Sequence, residues 1–354
     1  MSKFWSSRIK NSAAYVPGEQ INDGTYIKLN TNENPYPPSR EVLDTIRSFD
    51  STRLNLYPDF SCHKLKSALA QKYGLNKNEI FISNGSDEAL AFSFLAFFDC
   101  GDSICFPSIT YSFYKVYADF FNINYTETKL TESFEVDLSV FDGNYKGVVF
   151  ANPNAPTGKS VSFAKIKSFL ERNPEKLVIV DEAYVDFGGQ SVVPLIHKHD
   201  NLLVTQTFSK SRALAGLRVG FAMGNINLIN ALEQVKNSIN SYTLDTIALE
   251  SACASLRDDS HFKTAVSKII NTRTEVSEKL RLLGFMVIES KANFVFISHP
   301  GFSAENLYSG LKEKHVLVRH FNSPDIQNFL RVSIGTHEQM SLFLNLINEL
   351  TIKL

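Results

Sequence analysis

The sequence has few cysteines, no long apolar run and no cluster of positive charge. Its four cysteines form no CxxC pair and no His/Cys spacing typical of a metal site, so we expect reduced thiols and no bound metal. No stretch of about 18 apolar residues is present, which argues against a transmembrane helix. The polar residues 1–11 contain no apolar core of a secretory signal. These features predict a cytoplasmic protein with no membrane partner.

Charge and length further limit the class of protein to which the chain can belong. The formal net charge is -1, and residues of both signs are mixed along the chain without a long basic run. We therefore expect no nucleic-acid partner. A hydrophobic fraction of 44% is typical of a globular protein. With 354 residues, the chain is too long for one ordinary core, and we expect one large and one small domain.

Short apolar runs alternate with segments of helical periodicity in the first two thirds of the chain. Two of these runs, GVVF and LVIV, are continuously apolar, as in strands that are buried on both faces of a sheet. The alternation predicts an α/β domain with a mostly parallel sheet flanked by helices. The predicted strands are residues 80–83, 103–106, 147–151, 177–180, 202–205 and 219–223, with helices at 87–98, 111–121 and 162–172.

The pattern changes after about residue 239. One long helical stretch is predicted there, followed by strands and helices in a mixed order that is typical of a smaller α+β domain. The predicted segments are the helix 246–283, the strands 293–297, 316–319 and 330–334, and the helices 304–312 and 337–350. We expect an N-terminal arm over residues 1–30 that packs with the small domain, a large domain over 31–240 and a small domain over 241–354.

The segment TFSKSRALAGLRVG, residues 207–220, has the strongest chemical pattern. Lys210 lies just past an apolar strand between hydroxyl residues, and Arg218 follows eight residues later. A lysine amine can condense with an aldehyde, while Thr207, Ser209 and Arg218 can hold a phosphate. The pattern suits a phosphorylated aldehyde cofactor, although a surface lysine beside a Ser/Thr turn has the same local sequence.

Two other strand ends carry polar residues. Asp181 ends the LVIV strand, at the edge where open α/β sheets bind ligands, and a buried carboxylate there can keep a pyridine nitrogen protonated. Tyr184 is near enough in sequence to reach the phenolic oxygen of such a ring. Ser86 and Asp87, in NGSDEAL, begin a helix whose N-terminus can bind an anion. Helix capping explains both segments equally well when each is taken alone.

The order of these segments resembles that of the fold-type I, aspartate-aminotransferase-like enzymes, which depend on pyridoxal 5′-phosphate (PLP). Within them, the chain is similar to the histidinol-phosphate aminotransferases over nearly its whole length. The matching segments are YVPGEQ at 15–20, LNTNENP at 29–35, YPD at 57–59, NGSDEAL at 84–90, PNAPTG at 153–158, VDEAY at 180–184, TFSKSRALAGLRVG at 207–220, VRHFN at 318–322 and LRVSIGT at 330–336.

The resemblance implies a role for each matched residue. Lys210 would hold PLP as a Schiff base and then move the proton, Asp181 would pair with the pyridinium nitrogen, and Tyr184 would bond the ring oxygen O3′. The resemblance also implies contacts to the cofactor from Ser86, Asp87, Tyr111, Asn154, Thr207, Ser209 and Arg218, together with Tyr57 from the second subunit of a homodimer. Around the substrate it implies Tyr15, Asn32, Arg319 and Arg331, with Arg331 gripping the anionic group.

One motif departs from the family pattern. The family commonly has an asparagine directly before Pro-Thr-Gly, where it bonds O3′, but this chain has Ala155 there. Its asparagine lies one position earlier, at Asn154. Either the turn lets Asn154 reach O3′, or O3′ keeps only Tyr184 as its donor.

The resemblance implies transamination of histidinol phosphate with 2-oxoglutarate, giving imidazole acetol phosphate and glutamate, in histidine biosynthesis. A pair of arginines, Arg319 and Arg331, suits both a phosphate and a dicarboxylate. An aromatic amino-acid aminotransferase and a threonine-phosphate decarboxylase are alternatives on the same scaffold. A non-catalytic binding protein with this fold is a third alternative, against which the intact Lys210, Asp181 and Arg218 argue.

Overall fold

A computed structural model describes residues 2–16, 18–21 and 24–353, so Pro17 of the YVPGEQ motif lies outside the described residues. No helix among the described residues is both long enough and apolar enough to cross a membrane. In chain order, the elements are α1 (Ser7–Asn11), β1 (Ile27–Lys28), α2 (Arg40–Arg47), α3 (His63–Tyr73), β2 (Ile80–Asn84), α4 (Gly85–Phe97), β3 (Ser103–Pro107), α5 (Phe113–Phe121), β4 (Asn124–Thr128), β5 (Gly147–Ala151), α6 (Phe163–Arg172), β6 (Leu177–Asp181), β7 (Leu202–Thr207), β8 (Val219–Gly224), α7 (Ile226–Ile239), α8 (Thr246–Arg257), α9 (Asp259–Leu282), β9 (Met286–Ile288), β10 (Phe294–Ser298), α10 (Ala304–Glu313), β11 (Val316–Leu317), β12 (Arg319–His320), β13 (Leu330–Ser333) and α11 (His337–Lys353).

A seven-stranded sheet with the order β2-β8-β7-β6-β5-β3-β4 forms the larger part of the molecule. Its strands pair in parallel except for β8, which is antiparallel to both neighbours. Successive side chains of a strand point to opposite faces, so Val178 and Val180 of β6 enter the hydrophobic core on one face and Ile179 enters the core on the other. Burial on both faces explains why this strand is continuously apolar, and the predicted mostly parallel α/β architecture is confirmed.

A four-stranded antiparallel sheet with the order β12-β13-β10-β9 forms the C-terminal part. Its core joins side chains of α9, α10 and α11 to those of the strands. The N-terminal segment packs here as well, because β1 pairs in parallel with β11 and places Ile27 opposite Val316. The limits of the arm and of the two domains, at residues 30 and 240, stay predictions.

Several elements differ from the sequence prediction. The strand predicted over residues 316–319 is divided into β11, which pairs with β1, and β12, which belongs to the four-stranded sheet. The helix predicted over residues 246–283 is divided into α8 and α9 at Asp258, whose backbone is not helical and whose side chain accepts a hydrogen bond from the His261 N–H. The sequence prediction also lacks β4, an edge strand with the polar sequence NYTET. An edge strand needs only one partner and buries little surface, so its sequence carries a weak strand signal.

At Gly220, strand β8 approaches the start of α4 closely. A Cβ atom there would lie 2.2 Å from the Gly85 carbonyl carbon and 2.3 Å from the Ser86 nitrogen, both backbone atoms that cannot rotate away. We predict that Gly220→Ala lowers the free energy of unfolding by about 1–3 kcal/mol in urea denaturation. Gly216→Ala is the matched control, because its Cβ would meet no atom within 4 Å, and we expect a change within about 0.5 kcal/mol. Equal losses in the two variants would contradict this explanation.

Candidate active site

A cavity of about 320 Å³ lies at the carboxyl ends of β5, β6 and β7 and is closed by β12, β13, Tyr15, Gly18, Gln20 and residues 30–33. Open α/β sheets bind ligands at this edge because the polar strand ends and following loops converge there. Of the residues predicted to form the site, only Asn154 and Tyr57 do not line the cavity. Those that line it are Tyr15, Asn32, Ser86, Asp87, Tyr111, Asp181, Tyr184, Thr207, Ser209, Lys210, Arg218, Arg319 and Arg331.

Lys210 reaches the cavity from the bend that follows β7. Its Nζ donates a hydrogen bond of 3.3 Å to the Thr31 carbonyl oxygen and lies 5.8 Å from the centroid of the Tyr184 ring. The main chain is fixed as well, because Asn34 Nδ2 donates to the Lys210 carbonyl oxygen at 2.9 Å. The amine is thus held in the cavity by the N-terminal segment, a contact that the sequence prediction did not include.

Ser86, Thr207, Ser209 and Arg218 form a set of donors at the start of α4, which we call the anion cradle. The Ser209 hydroxyl accepts from Thr207 Oγ1 at 2.9 Å and from Arg218 Nη1 at 3.4 Å. Gly85 has φ +74°, and a Cβ there would lie 2.5 Å from Arg218 Nη2. Hydroxyls, a guanidinium and the N–H groups of a helix N-terminus together suit a phosphate.

Asp87 lies beside the anion cradle, with its N–H in the first turn of α4 and its carboxylate bonded to neighbouring side chains. Its carboxylate accepts hydrogen bonds from the Tyr111 hydroxyl at 2.7 Å and from Arg218 Nη2 at 3.1 Å. A carboxylate offers no donor to a phosphate and repels it. We infer that Asp87 orients Arg218 and Tyr111.

Asp181 is a buried carboxylate at the end of β6 that lines the cavity. The Tyr114 hydroxyl donates to its Oδ2 at 2.9 Å, and the Ala183 N–H and the Thr205 hydroxyl donate to its Oδ1 at 3.2 and 3.3 Å. Burial raises the pKa of Asp181 to about 6, and the hydrogen bond from Tyr114 opposes that shift. A cationic ligand group facing Asp181 would favour the ionised carboxylate.

Asn154 does not line the cavity and has no free polar group. Its Oδ1 accepts from the Thr110 hydroxyl at 2.8 Å, and its Nδ2 donates to the Ile109 carbonyl oxygen at 2.9 Å and to Thr157 Oγ1 at 3.2 Å. Two bonds to the loop after β3 and one within its own turn occupy the amide, so the geometry gives no support to Asn154 as a cofactor ligand. Ala155 lines the cavity instead, in an apolar cluster with Phe294.

Arg319 and Arg331 lie directly opposite each other on the paired strands β12 and β13, and both line the cavity. Arg331 Nη2 donates to the Asn30 carbonyl oxygen at 2.8 Å, while its buried Nε has no hydrogen-bond partner among the described residues. Burial lowers the pKa of the Arg331 guanidinium. Like charges opposite each other on neighbouring strands are unfavourable, so this pair favours an anionic ligand between them.

Tyr57 lies outside the cavity and is 82% exposed. Its ring stacks on that of Tyr242 with centroids 4.6 Å apart, and Phe60 contacts Tyr242 edge-on. Leu54 and Leu56 are exposed next to it in the chain. These five residues form an exposed apolar patch, which is typical of a protein interface.

The sequence prediction missed the residues that hold the site residues in place. Tyr114 bonds Asp181 across 67 residues of sequence, and Asn34 bonds Lys210 across 176. Tyr114 follows Tyr111 by three residues on a predicted helix, and such spacing can place two side chains on one side of a helix. That spacing was the signal available in the sequence for Tyr114. For Asn34 the only signal was its position in the LNTNENP motif.

We predict that Tyr114→Phe destabilises the ligand-free protein more at high pH than at low pH. The pKa of Asp181 in the folded protein, about 6, exceeds its ordinary value of 3.8, so acidification through this range protonates the folded state first and relieves the buried charge. Loss of the Tyr114 hydroxyl should cost about 2 kcal/mol at pH 8, where the carboxylate is charged, and about 1 kcal/mol at pH 5.

Urea denaturation at the two pH values measures this difference. Tyr117→Phe is the matched control on the same helix, because the Tyr117 hydroxyl donates to the Asp87 carbonyl oxygen and not to Asp181. Its cost should not change with pH. A pH-independent cost for Tyr114→Phe would show that the hydroxyl does not stabilise the charged form of Asp181.

Comparison with known proteins identifies the family. The model of the family "Aminotransferase class I and II" matches residues 24–347. A histidinol-phosphate aminotransferase of Clostridium acetobutylicum is 53% identical over 349 residues, which cover 99% of both chains. Histidinol-phosphate aminotransferase 1 of Oceanobacillus iheyensis is 49% identical over 350 residues, again 99% of both chains.

Among solved structures, the histidinol-phosphate aminotransferase of Sinorhizobium meliloti, in complex with pyridoxal-5′-phosphate, has the same fold. Its TM-score is 0.89 at 22% identity, with 99% of this chain and 98% of that chain covered. The resemblance inferred from the sequence motifs is confirmed. The chain is an enzyme that belongs to the class I and II aminotransferases.

Proposed function

We propose that this enzyme transfers the amino group of histidinol phosphate to 2-oxoglutarate, with PLP as its cofactor, in histidine biosynthesis. The observation that carries the proposal is the opposed pair Arg319 and Arg331, which faces the cavity that also contains Lys210. Relatives at about half identity over the full chain have the corresponding name. The pair suits the phosphate of one substrate and the second carboxylate of the other.

The residues that line the cavity fit PLP. Its phosphate matches the anion cradle, its protonated ring nitrogen matches the buried Asp181, and its aldehyde matches the Lys210 amine. Tyr111 can cover the ring face, and Tyr184 can donate to the ring oxygen O3′. When bound, PLP supplies an aldehyde that captures the substrate amine and a ring that withdraws electrons from the substrate Cα.

The side chains of the protein have separate roles in this reaction. Lys210 Nζ would hold PLP between turnovers and would accept the proton that leaves the substrate Cα. Asp181 remains ionised and keeps the ring nitrogen protonated, with Tyr114 orienting its Oδ2. Arg331 grips the anionic group of the substrate, and Arg319 lies beside it. Tyr15, whose ring stacks on Phe113 at 4.2 Å, forms the wall of the cavity near the substrate.

A substrate panel tests the proposal. We expect the purified protein to be yellow with PLP and to transaminate histidinol phosphate with 2-oxoglutarate faster than phenylalanine or tyrosine. Threonine phosphate should not be decarboxylated. Lys210→Ala should lose at least about three orders of magnitude in rate, since it removes both the cofactor link and the proton acceptor. A clear preference for an aromatic amino acid, or release of carbon dioxide from threonine phosphate, would reassign the substrate.

We further infer a cytoplasmic homodimer in which Tyr57 reaches the anion cradle of the other subunit. Support comes from the exposed apolar patch around Tyr57, which lies outside the cavity of its own chain and is typical of a protein interface. The four cysteines are unpaired in the structure, in keeping with a reducing compartment.

Mixing inactive variants tests the crossing of Tyr57. Coexpressed Lys210→Ala and Tyr57→Ala chains should recover about one quarter of wild-type activity, because half of the random dimers are mixed and each has one intact site of two. Lys210→Ala with Asp181→Ala is the matched control, since both residues line the cavity of one chain and no mixed dimer gains an intact site. Failure to recover activity in the first mixture would exclude the crossing.

A further inference from the structure

Asn32 has every polar group engaged and a backbone conformation that few residues adopt. Its φ is +56°, in the left-handed region where asparagine is tolerated best after glycine. Its N–H donates to the Ser333 hydroxyl at 2.9 Å, and its carbonyl oxygen accepts from Asn293 Nδ2 at 3.0 Å. Its side chain is buried, and Nδ2 donates to the Tyr184 hydroxyl at 2.9 Å.

The Ser333 hydroxyl sets the orientation of the Asn32 amide. It already accepts the Asn32 N–H, and its own hydrogen goes to Asn32 Oδ1 at 2.9 Å. With Oδ1 on the serine side, Nδ2 has to face Tyr184. The Tyr184 oxygen is therefore an acceptor on this side, which leaves its single hydrogen free to be donated elsewhere.

Neither residue of the Asn154–Ala155 pair offers its side chain to the Tyr184 hydroxyl as a donor. The Ala155 side chain has no polar group, the Asn154 amide is occupied by Ile109, Thr110 and Thr157, and the Tyr184 ring packs edge-on against Phe294 with centroids 5.1 Å apart. A hydroxyl that accepts one hydrogen bond becomes a stronger donor in the next. Asn32 can thus offset part of what the alanine at position 155 removes.

We propose that Asn32 is a positioning residue that acts through Tyr184, directing and strengthening the hydrogen bond from the Tyr184 hydroxyl to the ionised O3′ of the cofactor. It does so from the segment that also bonds Ser333 of the small sheet. The inference rests on PLP as the cofactor but not on the identity of the substrate. The expectation that Asn32 also contacts the substrate stays a prediction.

Two substitutions of Asn32 separate this role from simple packing. Asn32→Gly keeps the left-handed backbone and removes the amide. Asn32→Asp keeps the shape but replaces the donor by an acceptor, which would draw the Tyr184 hydrogen away from O3′. Each is made in the wild-type and in the Tyr184→Phe background, and each is measured as the holoenzyme.

Two readouts avoid turnover: the Kd for PLP from fluorescence quenching, and the pH midpoint at which the absorbance of the bound cofactor changes. Asn32→Gly should raise the Kd about two- to fivefold, the range of one neutral hydrogen bond. It should raise the pH midpoint by about half a unit, because an O3′ with weaker bonding holds its proton more tightly. Asn32→Asp should shift both readouts further in the same direction.

In the Tyr184→Phe background both substitutions should lose most of their effect, because the group through which Asn32 acts is absent. The proposal is overturned if Asn32→Asp behaves as wild type, or if the shifts persist unchanged without the tyrosine hydroxyl. Wild-type protein that binds no PLP would overturn both this proposal and the proposed function. An unexpected preferred substrate would change the proposed function alone.

Ser333→Ala and Asn32→Ala test whether the shifts in pH midpoint arise from a less stable fold. Ser333→Ala removes the group that orients the Asn32 amide and should raise the pH midpoint by less than Asn32→Gly does. Asn32→Ala places a residue with a Cβ atom at φ +56°, so its melting temperature should lie below that of Asn32→Gly. Its pH midpoint should equal that of Asn32→Gly, because both variants lack the amide donor. If the pH midpoints of the four variants change in step with their melting temperatures and not with the loss of the amide donor, the role through Tyr184 is refuted.

Discussion

The parallel register between β6 and β7 is the constraint on which the site depends. Asp181 lies opposite Thr205, so the carboxylate and the strand that leads to Lys210 reach the same edge of the sheet. The Thr205 hydroxyl bonds the carboxylate directly at 3.3 Å. A slip of one residue would turn Asp181 to the other face of the sheet, because side chains alternate along a strand. The hydrogen bond from Thr205 to Asp181 depends on this register, and so does the arrangement of the two strand ends.

The cavity concentrates charged groups that the protein alone does not neutralise. Asp181 is buried with a raised pKa, and Arg319 faces Arg331, whose Nε lacks a partner in the part of the chain that the structure describes. Charges held away from water are costly until an opposite charge arrives. A ligand with a cationic ring nitrogen and anionic groups relieves these costs together. The site is therefore organised for a ligand of that charge pattern before the ligand binds.

Residues near strand ends could be predicted from the sequence because their positions depend on local patterns. Continuous apolar runs gave the strands, and Asp181 and Lys210 follow them directly. The supporting contacts could not be predicted in this way, since Tyr114 and Asn34 meet their partners across 67 and 176 residues. Asn154 lies next to Ala155 in sequence, but the turn directs its amide to Thr110, Ile109 and Thr157. A shift of one residue within a turn is enough to move an asparagine from the cavity lining to a buried structural position.

The segment at residues 30–34 connects these separate features. The Asn30 carbonyl oxygen accepts from Arg331, the Asn32 amide donates to Tyr184, and the Asn34 amide donates to the Lys210 carbonyl oxygen. Three asparagines at alternate positions thus contact Arg331, Tyr184 and Lys210 in turn. Because β1, directly before this segment, pairs with β11, a movement of the C-terminal part relative to the large sheet would act on the contacts to Tyr184 and Lys210. A short polar segment therefore couples the position of Arg331 to the geometry around Lys210.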